Sequence, residues 1–203
     1  MCKCDSDFSP FCALFLLFPL KGIGHFAIIR KSANLDLHIT LYVKEENVMD
    51  ELKMQNGALI LEGGSLRSLF TSGVLDVFME HNLYFSDVTG VSAGSLTGVN
   101  YVSRQPGRSA KLNIDYVNDK RYLGVNNLIL HHEIFNFDFL FNDLSHSILP
   151  MDFDTFYKSP QHFTAVATNL RTGEAEYFEK SSCSDILAAI RASSSMPMLS
   201  KAV

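Results

Sequence analysis

Residues 85–102 read FSDVTGVSAGSLTGVNYV, and the order of elements that they predict decides the fold. The first seven residues predict a strand, and residues 93–102 predict a helix with small residues along one side. A Gly-x-Ser-x-Gly string at residues 90–94 joins the two. The segment therefore predicts a strand that turns sharply into a helix.

The same order of elements occurs immediately upstream. Residues 57–62 (GALILE) form an apolar run of strand length that ends at two glycines. Apolar residues then recur at the spacing of one helical face over residues 66–80. Because a strand, a tight glycine turn and a helix occur twice in succession, we expect a parallel sheet with crossover helices.

The last forty residues add two strands and a helix to this pattern. Residues 163–168 predict a third core strand, and residues 175–179 predict an antiparallel partner joined to it by a tight turn. Residues 185–191 predict a short helix capped by Ser184 or Ser182. The expected fold class is α/β, a three-layer sandwich with a largely parallel central sheet that is incomplete at its C-terminus.

The composition excludes several classes of protein. Of the 203 residues, 47% are hydrophobic and 19% are charged, which favours one domain with a sizeable core over a disordered chain or a coiled coil. A net charge of -5 gives no electrostatic basis for binding nucleic acid. No apolar run reaches the roughly 18 residues of a membrane-spanning helix, and the four cysteines do not suggest a disulfide framework. We expect a cytoplasmic protein; the alternative is secretion, from the short apolar block at residues 11–20.

The first 48 residues differ in pattern from the rest of the chain. Apolar and polar residues alternate over residues 35–43, as in a strand with one apolar face. Met49 and Met54 stand just before the strongly patterned region. We expect the natural start at one of these methionines, with residues 1–48 as an upstream extension and residues 56–203 as the domain. An intact mass that includes the extension would contradict this expectation.

The Gly-x-Ser-x-Gly string carries the first chemical signal. A serine on a sharp strand-to-helix turn presents its hydroxyl at the edge of the sheet, and side chains two residues before and after it would collide across the turn. The N-terminus of the following helix favours negative charge near the serine. The pattern predicts Ser92 as a nucleophile and Gly90 and Gly94 as the residues that shape its turn. The alternative is a tight turn with an incidental serine.

A second glycine turn at residues 63–68 (GGSLRS) also lies between a predicted strand and a predicted helix. Consecutive glycines let backbone N–H groups converge on one point, and the helix dipole strengthens their attraction for an anion. Such a loop serves as an oxyanion hole or as a phosphate cradle. The nucleotide-binding strings GxxxxGK[ST] and GxGxxG are absent. Arg67 either points at the same anion or pairs with an acidic residue on the surface.

Together, the two turns resemble those of the patatin-like phospholipases. The matching strings are LEGGSLRS at residues 61–68, GVL at 73–75, GVSAG at 90–94 and RASSSMP at 191–197. The resemblance covers roughly residues 56–203 and none of residues 1–48.

The resemblance implies a lipid acyl-ester hydrolase that forms an acyl-serine intermediate and needs neither a metal nor an organic cofactor. It assigns the nucleophile to Ser92 and the oxyanion hole to the backbone of Gly63, Gly64 and Ser65, with Arg67. Ser65 stands where the family usually has a third glycine, but a serine still donates its backbone N–H. The implied partner is a lipid or phospholipid substrate at a transiently contacted membrane surface, with no nucleic acid.

The base of such an enzyme is missing from the sequence. The family activates its serine with an aspartate in an Asp-Gly-Gly or Asp-Gly-Ala motif, and this chain has no Asp-Gly pair. Asp152, Asp154 and Asp185 are poor substitutes, because two lie in a loop-rich region and the third opens a helix. We expect the base beyond residue 203, which makes this chain a truncated hydrolase. The alternative is an inactive lipid- or protein-binding relative.

Other catalytic groups fit less well. A Ser–Asp–His hydrolase needs a late histidine, and His162, just before a predicted core strand, is the least unsuitable one. His131 and His132 have no further ligand at metal-binding spacing, so no metal site is predicted. Nothing basic is placed to activate Cys183.

Residues 104–160 predict short helices and loops and are rich in aromatic residues. These residues either line an apolar groove for an acyl chain or simply form core. They are Phe135, Phe137, Phe139, Phe141, Phe153, Phe156 and Tyr157. The alternate spacing of the first four fits a strand face or a helix that is buried all round.

Overall fold

The computed structural model describes residues 53–124, 127, 133–196, 199–200 and 203. Within these ranges four strands form one sheet in the order β1-β2-β3-β4, comprising Lys53–Leu61, Leu83–Val91, His162–Thr168 and Ala175–Glu179. The first three strands are parallel, and β4 pairs antiparallel with β3. The predicted α/β class, with a largely parallel sheet flanked by helices, is confirmed.

Five α-helices accompany the sheet in the part of the chain that the structure describes. They are α1 Ser68–Glu80, α2 Ala93–Val102, α3 Arg108–Asp115, α4 Phe153–Lys158 and α5 Ile186–Ser194. A 3₁₀ turn over Ser65–Arg67 leads into α1, and a π-helix over Phe139–Ile148 precedes α4. Helix α1 connects β1 to β2, and α2 follows β2 directly, as the repeated pattern predicted.

Two element ends differ from the sequence prediction for identifiable reasons. The helix predicted from residue 66 begins as a 3₁₀ turn, because the Arg67 N–H donates to the Gly64 carbonyl at 3.1 Å. The prediction that Ser184 or Ser182 caps the last helix is wrong. The Asp185 carboxylate accepts the Ala188 N–H at 3.0 Å instead, and so satisfies one of the free donors of that helix.

The main core lies between the helices and one face of the sheet. Leu59, Leu61, Val88 and Phe163 are at most 1% exposed and pack in one cluster with side chains of α1, α2 and α5. Burying a side chain of this kind contributes about 1.5–3 kcal/mol. Ile60, between two buried leucines on β1, faces the other way and is 46% exposed. A helix layer over that second face therefore stays a prediction.

The aromatic middle segment forms a second, smaller cluster. Its buried members are Leu112, Tyr122, Phe137, Phe139, Leu140 and Leu144. Phe135 forms an isolated antiparallel bridge with Leu123, and the following residues enter the π-helix. The segment is therefore neither a strand with an aromatic face nor a regular helix buried all round. Leu96 and Phe141 contact both clusters.

The register of the sheet positions the two glycine turns. Leu61 on β1 pairs with Gly90 on β2, and Val91 pairs with Val166 on β3. Because parallel strands end at the same edge of a sheet, both turns and the end of β3 meet there.

Several predictions about the N-terminal region lie outside the described residues. These are the extension over residues 1–48, the strand over residues 35–43 and the apolar block at residues 11–20. Of the helices in the described ranges, none combines the length and apolar character needed to cross a membrane.

Candidate active site

Ser92 occupies the junction between β2 and α2 in a strained conformation. Its φ of 53° and ψ of -124° put its backbone on the positive-φ side, which residues other than glycine rarely adopt. Its carbonyl accepts the Ser95 N–H at 2.9 Å and the Ser95 hydroxyl at 2.6 Å, so the first turn of α2 holds this conformation. Strain of this kind is frequent at catalytic turns.

The two glycines that flank Ser92 have no room for a side chain. A Cβ added to Gly90 would lie 2.5 Å from the Cα and the N of Ser95. A Cβ on Gly94 would collide with the Leu61 carbonyl oxygen at the end of β1. The steric reason that the sequence pattern suggested for these glycines therefore applies within the fold.

The second glycine turn lies directly against Ser92. A Cβ on Gly63 would lie 3.0 Å from the Ser92 Cβ and 3.7 Å from its hydroxyl oxygen. Within the described residues, the N–H groups of Gly64 and Ala93 have no hydrogen-bond acceptor. Ala93 begins α2, where backbone N–H groups have no partner inside the helix. The fold thus brings together two turns that lie about thirty residues apart in the chain.

Ser65 adopts a conformation that favours glycine. Its φ is 52°, in the left-handed region, and its exposed side chain lines the cavity beside Ser92. This is the position where the resemblance led us to expect a third glycine. The serine is accommodated there, but with backbone strain of about 1 kcal/mol or more.

Arg67 is exposed and does not line this cavity. Its Nε donates to the Gly64 carbonyl at 3.4 Å, the same oxygen that accepts the Arg67 N–H. No ion pair joins it to an acidic residue among the described positions. In this structure the Arg67 side chain therefore stabilises the glycine turn through its hydrogen bond to the Gly64 carbonyl, on the side away from the cavity.

Ser193 is a residue of the site that the sequence analysis did not single out. The Ser92 N–H donates to the Ser193 hydroxyl at 2.7 Å, and that hydroxyl donates to the Val166 carbonyl at 2.6 Å. The Ser193 side chain on α5 thus links the turn at Ser92 to the end of β3 through two hydrogen bonds. The string at residues 191–197 carried part of the family resemblance, but nothing in it distinguished one serine from its neighbours.

Ser92 opens onto a mainly apolar cavity of about 80 Å³ between the two hydrophobic clusters. Phe135, Phe137 and Phe141 line it, whereas Phe156 is fully buried in the main core. The segment therefore contributes both to core and to the cavity wall, and Phe137 belongs to both. That the cavity takes an acyl chain stays a prediction.

No described side chain forms a hydrogen bond with the Ser92 hydroxyl. His162 is the first residue of β3 and pairs with Asp87, four positions before the pair Val91 and Val166. At about 3.3 Å per residue it lies roughly 13 Å from the edge where Ser92 sits. His162 is therefore too far away to accept the proton, and His131 and His132 lie outside the described residues.

The three candidate aspartates are engaged in other contacts. Asp185 caps α5, and Asp154 pairs with Lys158 at 2.7 Å. Asp152 caps α4, where hydrogen bonds from the backbone and side chain of Thr155 hold the pKa of its carboxyl below the usual value. A carboxylate with a lowered pKa is a weaker base, which argues against Asp152. None of the three aspartates lines the cavity beside Ser92 or contacts its hydroxyl.

Metal-binding groups and Cys183 were the remaining candidates. Over the described ranges, no three His, Cys, Asp or Glu side chains converge as metal ligands would. Cys183 is half-buried and packs against the main hydrophobic core.

The class of protein follows from the fold and the site. It is an α/β protein with a candidate serine hydrolase site, formed by a strained serine at a strand–helix junction beside an apolar cavity. The sequence profile described as "Patatin-like phospholipase" matches residues 59–203, and the chain belongs to that family.

A curated relative is similar over about two thirds of the chain. The "Uncharacterized protein YjjU" of Escherichia coli (strain K12) is 30% identical over 146 residues, which cover 69% of this chain and 40% of that protein. The chain thus spans less than half the length of this relative.

Proposed function

We propose that the protein hydrolyses acyl esters of lipids with Ser92 as the nucleophile. The observation that carries the proposal is the position of Ser92, strained at the junction of β2 and α2, beside Gly63 and open to an apolar cavity. The substrate is a lipid or phospholipid taken from a membrane surface. In this proposal residues 56–203 belong to the catalytic domain, and residues 1–48 precede it.

The Ser92 hydroxyl oxygen attacks the ester carbonyl carbon while a base takes its proton. The carbonyl oxygen becomes an oxyanion, for which the backbone N–H groups of Gly63, Gly64 and Ser65 are the proposed donors, with Ala93 as a further candidate, because none of the four has an acceptor among the described residues. One such donor is typically worth about 3–4 kcal/mol of transition-state stabilisation. Arg67, which does not line the cavity, supports the glycine turn through its bond to the Gly64 carbonyl. The alcohol leaves with a proton, and water then releases the acyl group from Ser92.

None of the described residues is placed to act as the base that takes the proton of the Ser92 hydroxyl. We propose that it is an aspartate of the Asp-Gly kind encoded after codon 203. The alternative is a relative that binds lipid without hydrolysing it. This alternative is favoured by the observation that no described carboxylate or imidazole contacts the Ser92 hydroxyl.

The test compares this chain with a chain extended by the coding sequence that follows codon 203. Hydrolysis of p-nitrophenyl butyrate is measured for both, together with Ser92→Ala and Ser147→Ala in the extended chain. Ser147 is an exposed serine on the π-helix that does not line the cavity and serves as the matched control. We expect Ser92→Ala alone to lose hydrolysis while circular dichroism remains unchanged. Full activity in Ser92→Ala would refute the nucleophile, and an inactive extended chain would favour the binding protein.

A further inference from the structure

Arg108 is a buried cation on the wall of the cavity. It is only 7% exposed, and its guanidinium reaches four neutral acceptors. These are the Asn100 Oδ1 at 2.6 Å, the Leu149 carbonyl at 2.7 Å, the Pro150 carbonyl at 3.3 Å and the Ser145 hydroxyl at 3.4 Å. Among the described residues no carboxylate pairs with it.

No described carboxylate therefore balances the charge of Arg108, which is buried and held only by neutral acceptors in the part of the chain that the structure describes. Burial lowers the pKa of Arg108 to about 10, so the side chain still carries its proton at neutral pH. The four contacts use one N–H of Nε, one of Nη1 and both of Nη2, which leaves one Nη1 hydrogen of the five donors unassigned. In such an environment, charge-assisted hydrogen bonds to an anion are short and strong.

The geometry of α2 fixes how far this charge lies from the nucleophile. Ser92, Leu96 and Asn100 all line the cavity, and their spacing of four residues puts them along one face of the helix. Asn100 follows Ser92 by eight residues, which corresponds to about 12 Å along the helix axis. Because Asn100 holds the Arg108 guanidinium, the cavity has the candidate nucleophile at one end and the buried cation at the other.

We propose that this cavity binds esters that carry an anionic group, a carboxylate or a phosphate, held by Arg108. The proposal rests on the proposed ester hydrolysis at Ser92. After contact distances of about 3 Å at each end are subtracted, roughly 6 Å of this length remains. An extended chain covers about 1.2 Å per bond, so the anion sits about five bonds from the ester carbonyl.

The first experiment measures binding to the unaltered chain and does not depend on hydrolysis. Isothermal titration calorimetry compares heptylphosphonate with heptan-1-ol, and butylphosphonate with butan-1-ol. We expect heptylphosphonate to bind about tenfold or more tightly than heptan-1-ol, with a smaller ratio for the butyl pair. Equal affinities within the heptyl pair would overturn the proposal.

The second experiment assigns the effect to one side chain. Arg108→Gln removes the charge, and Arg104→Gln removes a comparable charge from a half-buried arginine that packs over the Tyr84 ring and does not line the cavity. We expect the heptylphosphonate preference to fall to about twofold or less in Arg108→Gln and to persist in Arg104→Gln. A folded Arg108→Gln that keeps the preference would overturn the proposal. If that variant does not fold, the ligand comparison on the unaltered chain decides.

The third experiment identifies which arm of the ester carries the anion, using the extended chain. Mono-p-nitrophenyl adipate against p-nitrophenyl hexanoate tests the acyl arm, and dibutyryl glycerol phosphate against dibutyrylglycerol tests the alcohol arm. A higher kcat/KM for the anionic member of either pair supports the proposal, and hydrolysis with no anionic preference in both pairs overturns it. Phosphonate selectivity without any hydrolysis would preserve the anion site and refute the proposed reaction instead.

Discussion

The edge of the sheet and the segment that encloses the cavity are held in place by different kinds of contact. At the edge, conformation is set by close contacts of backbone atoms, such as those that leave Gly90 and Gly94 no space for a Cβ. In the enclosing segment, which comprises the described positions within residues 104–151, position is set by single side chains that contact residues far away in the sequence. Arg108, for example, contacts a carbonyl 42 residues away at Pro150.

In the proposed function, the edge of the sheet carries the chemistry of the site and the enclosing segment carries its selectivity. The edge holds the candidate nucleophile and the candidate oxyanion donors, which any acyl-ester substrate would need. The enclosing segment supplies the aromatic wall and Arg108, which we propose determine what fits beside the reacting ester. Variants of the edge should therefore alter folding or turnover, whereas variants of the enclosing segment should alter stability or ligand preference.

Gly94→Ala should destabilise the edge of the sheet more than any of the variants that follow. The added methyl group collides with the Leu61 carbonyl oxygen, so α2 must move away from β1, and we expect a loss of about 3 kcal/mol in the free energy of unfolding. Gly73→Ala is the matched control, because a Cβ on Gly73 meets nothing within 4 Å and alanine favours the helix by about 1 kcal/mol. Urea denaturation of both variants checks the prediction. Equal stability of the two would show that the turn tolerates a side chain.

Ser193→Ala should lower turnover without weakening substrate binding. The variant loses the acceptor for the Ser92 N–H and the link to Val166, so the nucleophile shifts relative to its oxyanion donors. We expect kcat of the extended chain to fall by about 10–100-fold with little change in KM.

The control for Ser193 is Ser195→Ala, whose hydroxyl bonds only to the Arg191 carbonyl of its own helix. Ser193→Thr keeps a hydroxyl and should restore much of the activity. A Ser193→Ala variant that loses stability but keeps kcat would show that the residue is structural and does not position Ser92.

Arg191→Met tests the attachment of the enclosing segment to α5. Arg191 contacts Asp138 at 2.6 Å and Glu133 at 3.5 Å, and the Glu133 side chain is only 4% exposed. Leaving that carboxylate buried without its partner should reduce the free energy of unfolding by about 2 kcal/mol. Lys158→Met, which removes an exposed pair with Asp154, should leave the urea midpoint unchanged. Equal effects would mean that the buried contact adds nothing to stability.

Ser65→Gly should stabilise the protein slightly, and it is the smallest of these effects. Glycine adopts the φ of 52° without the strain of a side chain, so we expect a gain of up to about 1 kcal/mol. Asn82→Gly provides the comparison, because Asn82 has the same φ of 52° but asparagine tolerates that region better. A destabilised Ser65→Gly would show that the serine side chain contributes a contact that outweighs the strain.

The sequence was most informative where the constraint was local. Strand, glycine turn and helix follow one another within about twenty residues, so each of the two turns, at Gly63 and at Ser92, could be predicted from the pattern. Their joint role in one site followed only from the family resemblance. The cap of the last helix was missed because Asp185 and its neighbouring serines are all good capping residues, and only the final geometry selects among them.

Long-range contacts were beyond the reach of the sequence pattern. Ser193 lies 101 residues from Ser92, and no periodicity links them. Arg108 is one of 17 basic residues, and its burial depends on carbonyls at the end of the π-helix. The alternation of phenylalanines could not predict that π-helix, because it fits a strand and a buried helix equally well.

The most direct test of the central claim is covalent labelling of the extended chain with a fluorophosphonate, followed by peptide mass spectrometry. We expect one adduct, on the peptide that contains Ser92, and no adduct in Ser92→Ala. An adduct on another serine, or unchanged labelling in Ser92→Ala, would contradict the assignment of Ser92 as the nucleophile.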